Sequence, residues 1–106
     1  MKENIIRRKS HDYAVRTVNF SRNLRARKVE PSIISQVLRS GTSIAANVEE
    51  ACAGISKAEF SMKPSISYKE AKENLYWITL LKDTGTVTVR EYESLYNDVD
   101  EILRIL

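Results

Sequence analysis

With a single cysteine, Cys52, the chain has no partner for an intrachain disulfide, and its single histidine, His11, rules out a His-rich metal site. The di-iron and di-manganese sites of helical bundles need Glu-x-x-His pairs, and His11 stands in no such context. Only three glycines and two prolines are present, too few for a turn-rich β fold. Gly41, Gly54 and Gly85 lie far apart and none opens a phosphate-binding loop followed by Lys-Ser/Thr. No run of 18 uncharged apolar residues occurs, and no apolar stretch follows a basic start in the manner of a secretion signal, so a cytoplasmic protein that does not span membranes is expected. No cofactor, no small-molecule substrate and no catalytic chemistry are expected. Cys52 is read as a small core residue, since nothing near it supplies an orienting base or an oxyanion donor.

At 106 residues the chain is one domain, 1–106. Its net charge of +3 conceals an uneven distribution. Residues 1–30 hold nine Lys/Arg against three Asp/Glu, a net of +6, and the remainder is net −3. A first segment of one sign can meet the acidic last segment of its own or a neighbouring chain, or a phosphate backbone.

Hydrophobic periodicity divides the chain into four helices. The first, roughly 3–27, sets Ile6, Tyr13, Phe20 and Leu24 on one face. The second, roughly 31–53, opens on Pro31, which suits a first turn, and carries Ile34, Val37, Leu38, Gly41, Ile44, Ala45 and Val48 at i, i+3, i+4 spacing. A third, roughly 57–82, is announced by Ser56 and Glu59 as a capping box, with Pro64 expected to kink it or delay its regular part. Thr88 and Glu91 form a second capping box before the last helix, whose stripe is Val89, Tyr92, Leu95, Tyr96, Val99, Ile102, Leu103 and Leu106. Short connections favour antiparallel neighbours. The expected fold is therefore all-α, an antiparallel up-down-up-down four-helix bundle.

Polar residues interrupt this pattern in three places. On a helical wheel Lys63, Ser67, Glu70 and Asn74 fall at the centre of the third helix's apolar face, so a buried network is expected in which Glu70 pairs with Lys63, or with Arg39 or Asn47 of the second helix. If Glu70 is largely buried, its removal should cost roughly 3 kcal/mol. Gln36, Ser40, Ser43 and Asn47 form a small-residue ridge beside the apolar face of the second helix. That ridge suits either a contact between subunits or tight packing within the chain. Lys9, Arg16 and Arg27 project from one side of the first helix and, with Arg22 and Lys28, are the candidate nucleic-acid contacts. No sequence-reading motif accompanies them, so such contacts would go to phosphates rather than to bases.

The string from Arg39 to Ala51, RSGTSIAANVEEA, followed by Gly54, Ser56-Lys57, Phe60, Ser65-Ile66, Tyr68-Lys69-Glu70-Ala71 and Tyr76-Trp77-Ile78-x-Leu80-Leu81-Lys82, resembles the bacterial four-helix-bundle family of 23S rRNA intervening-sequence proteins. The start, Lys9-Ser10-x-Asp12-Tyr13-Ala14-Val15-Arg16, fits the same family, while Pro64 and His11 depart from its usual pattern. The resemblance implies an up-down bundle that assembles as a ring-shaped homopentamer. It also implies a fold shared with the accessory proteins of diversity-generating retroelements, which act with a reverse transcriptase and RNA. A non-catalytic homo-oligomeric scaffold is expected, contacting RNA or a reverse-transcriptase-like partner through its basic first helix. The alternative is a structural or protein-binding module in which that helix meets the acidic last helix of a neighbour.

Overall fold

The computed structural model describes the backbone over residues 2–53 and 57–106 and side chains over residues 4–53 and 65–106. Four helices follow one another: α1 (Lys2–Ala26), α2 (Pro31–Ala53), α3 (Lys57–Asp83) and α4 (Val89–Ile105). Each packs on the next and α4 returns to α1, which closes an up-down-up-down bundle 43 Å long. The fold is all-α, as the periodicity predicts. Helix α3 runs through position 64, so Pro64 does not delay its start. The Ser56 and Glu59 capping box and the Phe60 side chain lie outside the described residues.

The helix ends follow from local chemistry. Thr88 caps α4: its Oγ1 accepts from the Glu91 N–H at 3.0 Å while the Glu91 carboxylate accepts from the Thr88 N–H at 3.0 Å. Helix α3 ends in a Schellman motif, with Thr86 N–H donating to Leu81 O, Gly85 N–H donating to Lys82 O, and Gly85 in the left-handed region at φ 72°. Helix α1 ends in the same motif at the same pole of the bundle. There Val29 N–H donates to Leu24 O, Lys28 N–H donates to Arg25 O, and a lysine, Lys28, occupies glycine's place at φ 61°.

The bundle is not evenly spaced. Backbones approach most closely between α2 and its two neighbours. Small residues permit this: Gly41 of α2 lies so near Thr17 of α1 that a Cβ there would come within 2.5 Å of the threonine side chain, and Ala71 of α3 is fully buried. Helix α4 stands further out and is reached by larger side chains, with Tyr13, Ile78, Leu95, Val99 and Ile102 filling the space. A second apolar cluster, including Leu24, Val29, Ile34, Val37, Leu81 and Val87, seals the pole at which both Schellman motifs lie.

Candidate functional site

The centre of the α3 face holds polar groups that are met within the chain. Asn74, with no exposed surface, accepts at Oδ1 from the Tyr13 hydroxyl at 2.5 Å and donates from Nδ2 to Ser40 Oγ at 3.1 Å and Val37 O at 3.3 Å. Burial pushes the Tyr13 phenol well above its ordinary pKa, which keeps the hydroxyl a donor and so fixes the orientation of the amide. Ser40 Oγ in turn donates to Gln36 O at 2.7 Å, and the buried Ser67 hydroxyl donates to Ile44 O at 3.1 Å. Three helices are thereby joined through one amide. Tyr13 is the member that periodicity alone does not reveal, because an aromatic on a core stripe reads as apolar until its hydroxyl is placed opposite Asn74.

Glu70 meets Arg39 at 2.9 Å, and the same guanidinium also binds Glu73, whose carboxylate takes a further hydrogen bond from Trp77 Nε1 at 3.0 Å. The expected pairing with Arg39 is found, but Glu70 is partly rather than fully buried. Its side chain keeps 20% of its surface and that of Arg39 45%, because the ion pair spans the outer edge of the α2–α3 seam rather than its centre. Glu70→Ala should therefore cost under about 1 kcal/mol, in place of the roughly 3 kcal/mol proper to a buried pair. Arg39→Ala should cost more than either glutamate change, since it leaves two carboxylates three residues apart on one helix face. Chemical denaturation of the three variants would show the order. Asn47 does not join Glu70 but donates to Ser43 O of its own helix at 2.8 Å. Lys63 lies outside the described residues.

The small-residue ridge on α2 divides. Ser40 has no surface to offer another subunit, because its strip turns into the α2–α3 seam toward Asn74, and its candidacy as an oligomer contact is withdrawn. Gln36, Ser43 and Asn47 remain partly exposed. The Ser43 hydroxyl is spent on Arg39 O at 2.6 Å.

The basic side of α1 faces α4. Lys9 pairs with Glu101, Arg16 with Asp98 at 2.6 Å, and Arg27 with Glu91 at 2.5 Å, forming a seam along nearly the whole of α4. Arg16 also donates to Ser94 Oγ at 2.7 Å, and Arg27 to Thr86 O at 3.1 Å. Three of the five candidate nucleic-acid contacts are thus engaged inside the protomer, with α4 of the same chain. A wheel gives the common direction of Lys9, Arg16 and Arg27 but not which helix lies on that side.

The Arg27 guanidinium holds the Glu91 carboxyl below its usual range, with help from the Thr88 N–H. A depressed carboxylate pKa gives stability that is present above the unfolded value, about 4.3, and lost as pH falls through the folded one. Acidification below about pH 4 should therefore loosen the start of α4, and Glu91→Gln should flatten that part of the pH profile of unfolding.

Other basic residues lie elsewhere on α1 and in the turn after it. Arg8, Arg22, Arg25 and Lys28 are exposed and make no ion pair among the described residues. Arg25 and Lys28 border a groove of about 510 Å³ at the α1–α2 turn, lined also by Ser35 and the apolar Val29, Pro31, Ile34 and Leu38. Opposite them lies the first turn of α2, which carries no acidic residue. Among the described residues no group of three or more His, Cys, Asp or Glu is placed to hold a metal ion, and no helix is long and apolar enough to cross a membrane.

These features define a four-helix bundle with a buried polar network and, at one pole, exposed basic side chains that make no ion pair among the described residues. The chain belongs to the family of 23S rRNA-intervening sequence proteins, which it matches over residues 2–106. It is similar to a solved protein of unknown function from the S23 ribosomal protein family of Bacteroides thetaiotaomicron VPI-5482, with 44% identity, a TM-score of 0.96, and coverage of 99% of this chain and 94% of the other. Comparison with curated proteins gives no match.

Proposed function

We propose that the chain is a non-catalytic, homo-oligomeric scaffold, assembled as a ring of five, that holds RNA phosphates at the α1–α2 pole through Lys28 with Arg22 and Arg25. The observation that carries the RNA reading is Lys28. A non-glycine residue in the left-handed region costs about 1 kcal/mol, and the matching end of α3 avoids that cost with Gly85. Among the described residues Lys28 forms no ion pair to offset the strain, and its side chain borders the groove beside Arg25. A cation kept where glycine fits better is what an anion-binding pole requires. The assembly rests on the family resemblance, and in a ring weak phosphate contacts on each subunit add as avidity.

Lys28→Gly separates this role from a structural one because its two effects have opposite signs. Stability should rise by about 1 kcal/mol while retention of a short RNA at low salt falls. Arg22→Gln, Arg25→Gln and Lys28→Gly together should reduce the magnitude of the salt slope by about two units for single-stranded RNA. Charge reversal at Lys9, Arg16 and Arg27 should instead loosen α4. Wild-type protein with no RNA affinity at low salt would refute the RNA reading, and a monomer by light scattering at tens of micromolar would refute the assembly.

A further inference from the structure

We infer that the outward stripe of α3 formed by Tyr68, Lys69, Lys72 and Tyr76 is a stacking platform for single-stranded RNA, separate from the basic pole. Tyr68 and Tyr76 retain 45% and 59% of their surface, so a face of each ring is open to a ligand. They lie eight residues apart, about 12 Å along the helix at 1.5 Å per residue, with Lys72 midway between them on the same side. Lys69 and Lys72 are exposed and make no ion pair among the described residues.

The stripe is positive because of Arg39. The carboxylates of this stretch, Glu70 and Glu73, are both drawn toward α2 by that guanidinium, and Trp77 Nε1 holds Glu73 further. Tyr76 is in turn steadied by an edge-to-face contact with Trp77, the ring centroids 5.0 Å apart. What faces outward is therefore ring, cation, cation, ring. A protein partner would favour a different surface, since lysine is depleted from the cores of protein interfaces and no exposed leucine, isoleucine or valine lies in the stripe to anchor one. Aromatic faces alternating with lysines suit bases stacked on the rings with phosphates between them, a mode tolerant of sequence. Duplex RNA offers no free base face and should not use the stripe.

This inference rests on the RNA reading above, and the test keeps the two apart. Binding of a short single-stranded RNA and of an RNA duplex would be measured at low salt for the full chain, for Tyr68→Ala/Tyr76→Ala and for Tyr68→Phe/Tyr76→Phe, with light scattering on each. The alanine pair should weaken single-strand binding about tenfold or more and leave duplex binding unchanged, while the phenylalanine pair, which keeps the ring faces, should bind as wild type. Lys69→Gln/Lys72→Gln should reduce the single-strand salt slope by about 1.4 units. Unchanged single-strand affinity in the alanine pair, alongside weakened binding in the Lys28 variants, overturns the platform and leaves the pole intact. No wild-type binding to either RNA overturns both. An alanine pair that loses RNA only together with a change of mass in solution identifies the stripe as a contact between subunits and overturns the inference.

Discussion

Asn74→Ala is expected to lower the free energy of unfolding by about 3 kcal/mol, the largest single effect available outside the apolar core. The loss has two parts. Removing the amide opens a void between three helices, and it takes the Asn74 acceptor from the hydroxyl of Tyr13, a residue only 3% exposed. The cost should depend on the partner left behind. Tyr13→Phe combined with Asn74→Leu removes donor and acceptor together, and this pair should come within about 1 kcal/mol of wild type, because Ser40 keeps its bond to Gln36 O. Urea denaturation at fixed protein concentration measures both. If the double variant loses as much as the sum of the singles, the network is not the unit described.

Gly41→Ala should be destabilising by about 2 kcal/mol, although alanine is the better helix former by up to about 1 kcal/mol. The new methyl would meet Thr17 Cγ2 and Oγ1 at 2.5 Å. Thr17 cannot swing aside cheaply, being 2% exposed, β-branched and bonded through Oγ1 to Tyr13 O at 2.8 Å. Thr17→Ala in the same chain should restore about half of the loss, so the double variant should be better than additive by about 1 kcal/mol plus whatever Thr17→Ala costs alone. A Gly41→Ala protein as stable as wild type would show that α1 and α2 can separate there without cost.

The helices were legible because several local signals agree at each boundary. Pro31 opens α2, Thr88 with Glu91 opens α4, and the apolar stripes between them have the helical period. The buried position of Asn74 was also legible, since it lies on a wheel in line with Trp77 and Leu81, and Leu81 is buried as it is. The facing partner was less so. A wheel gives direction in the frame of one helix, and only the order of helices around the bundle decides that Lys9, Arg16 and Arg27 look at α4 rather than at solvent. Of the two readings left open for the ridge, Ser40 takes the intrachain one for a related reason, since a strip beside the core can turn either into a seam or out of it. Lys28 left no periodic trace at all. Its left-handed backbone follows from where Leu24 and Val29 must meet to seal the pole, which is a property of the packed turn.

The uneven spacing of the bundle divides it dynamically. Helices α1, α2 and α3 are drawn together at Gly41, Ala71 and the Asn74 amide, contacts that dissolved ions do not reach. Helix α4 is fastened along one edge by three ion pairs at the surface, which mobile ions screen. The first cooperative unit to open is then α4, and its amide hydrogens should exchange with solvent before those of the other three helices. Added salt hastens that opening, while the inner trio, whose Arg39 pairs are screened too, is held by its close apolar and buried polar contacts. The ionic strength around the protein thus sets how often the apolar face of one helix is bared while the rest of the fold stays closed.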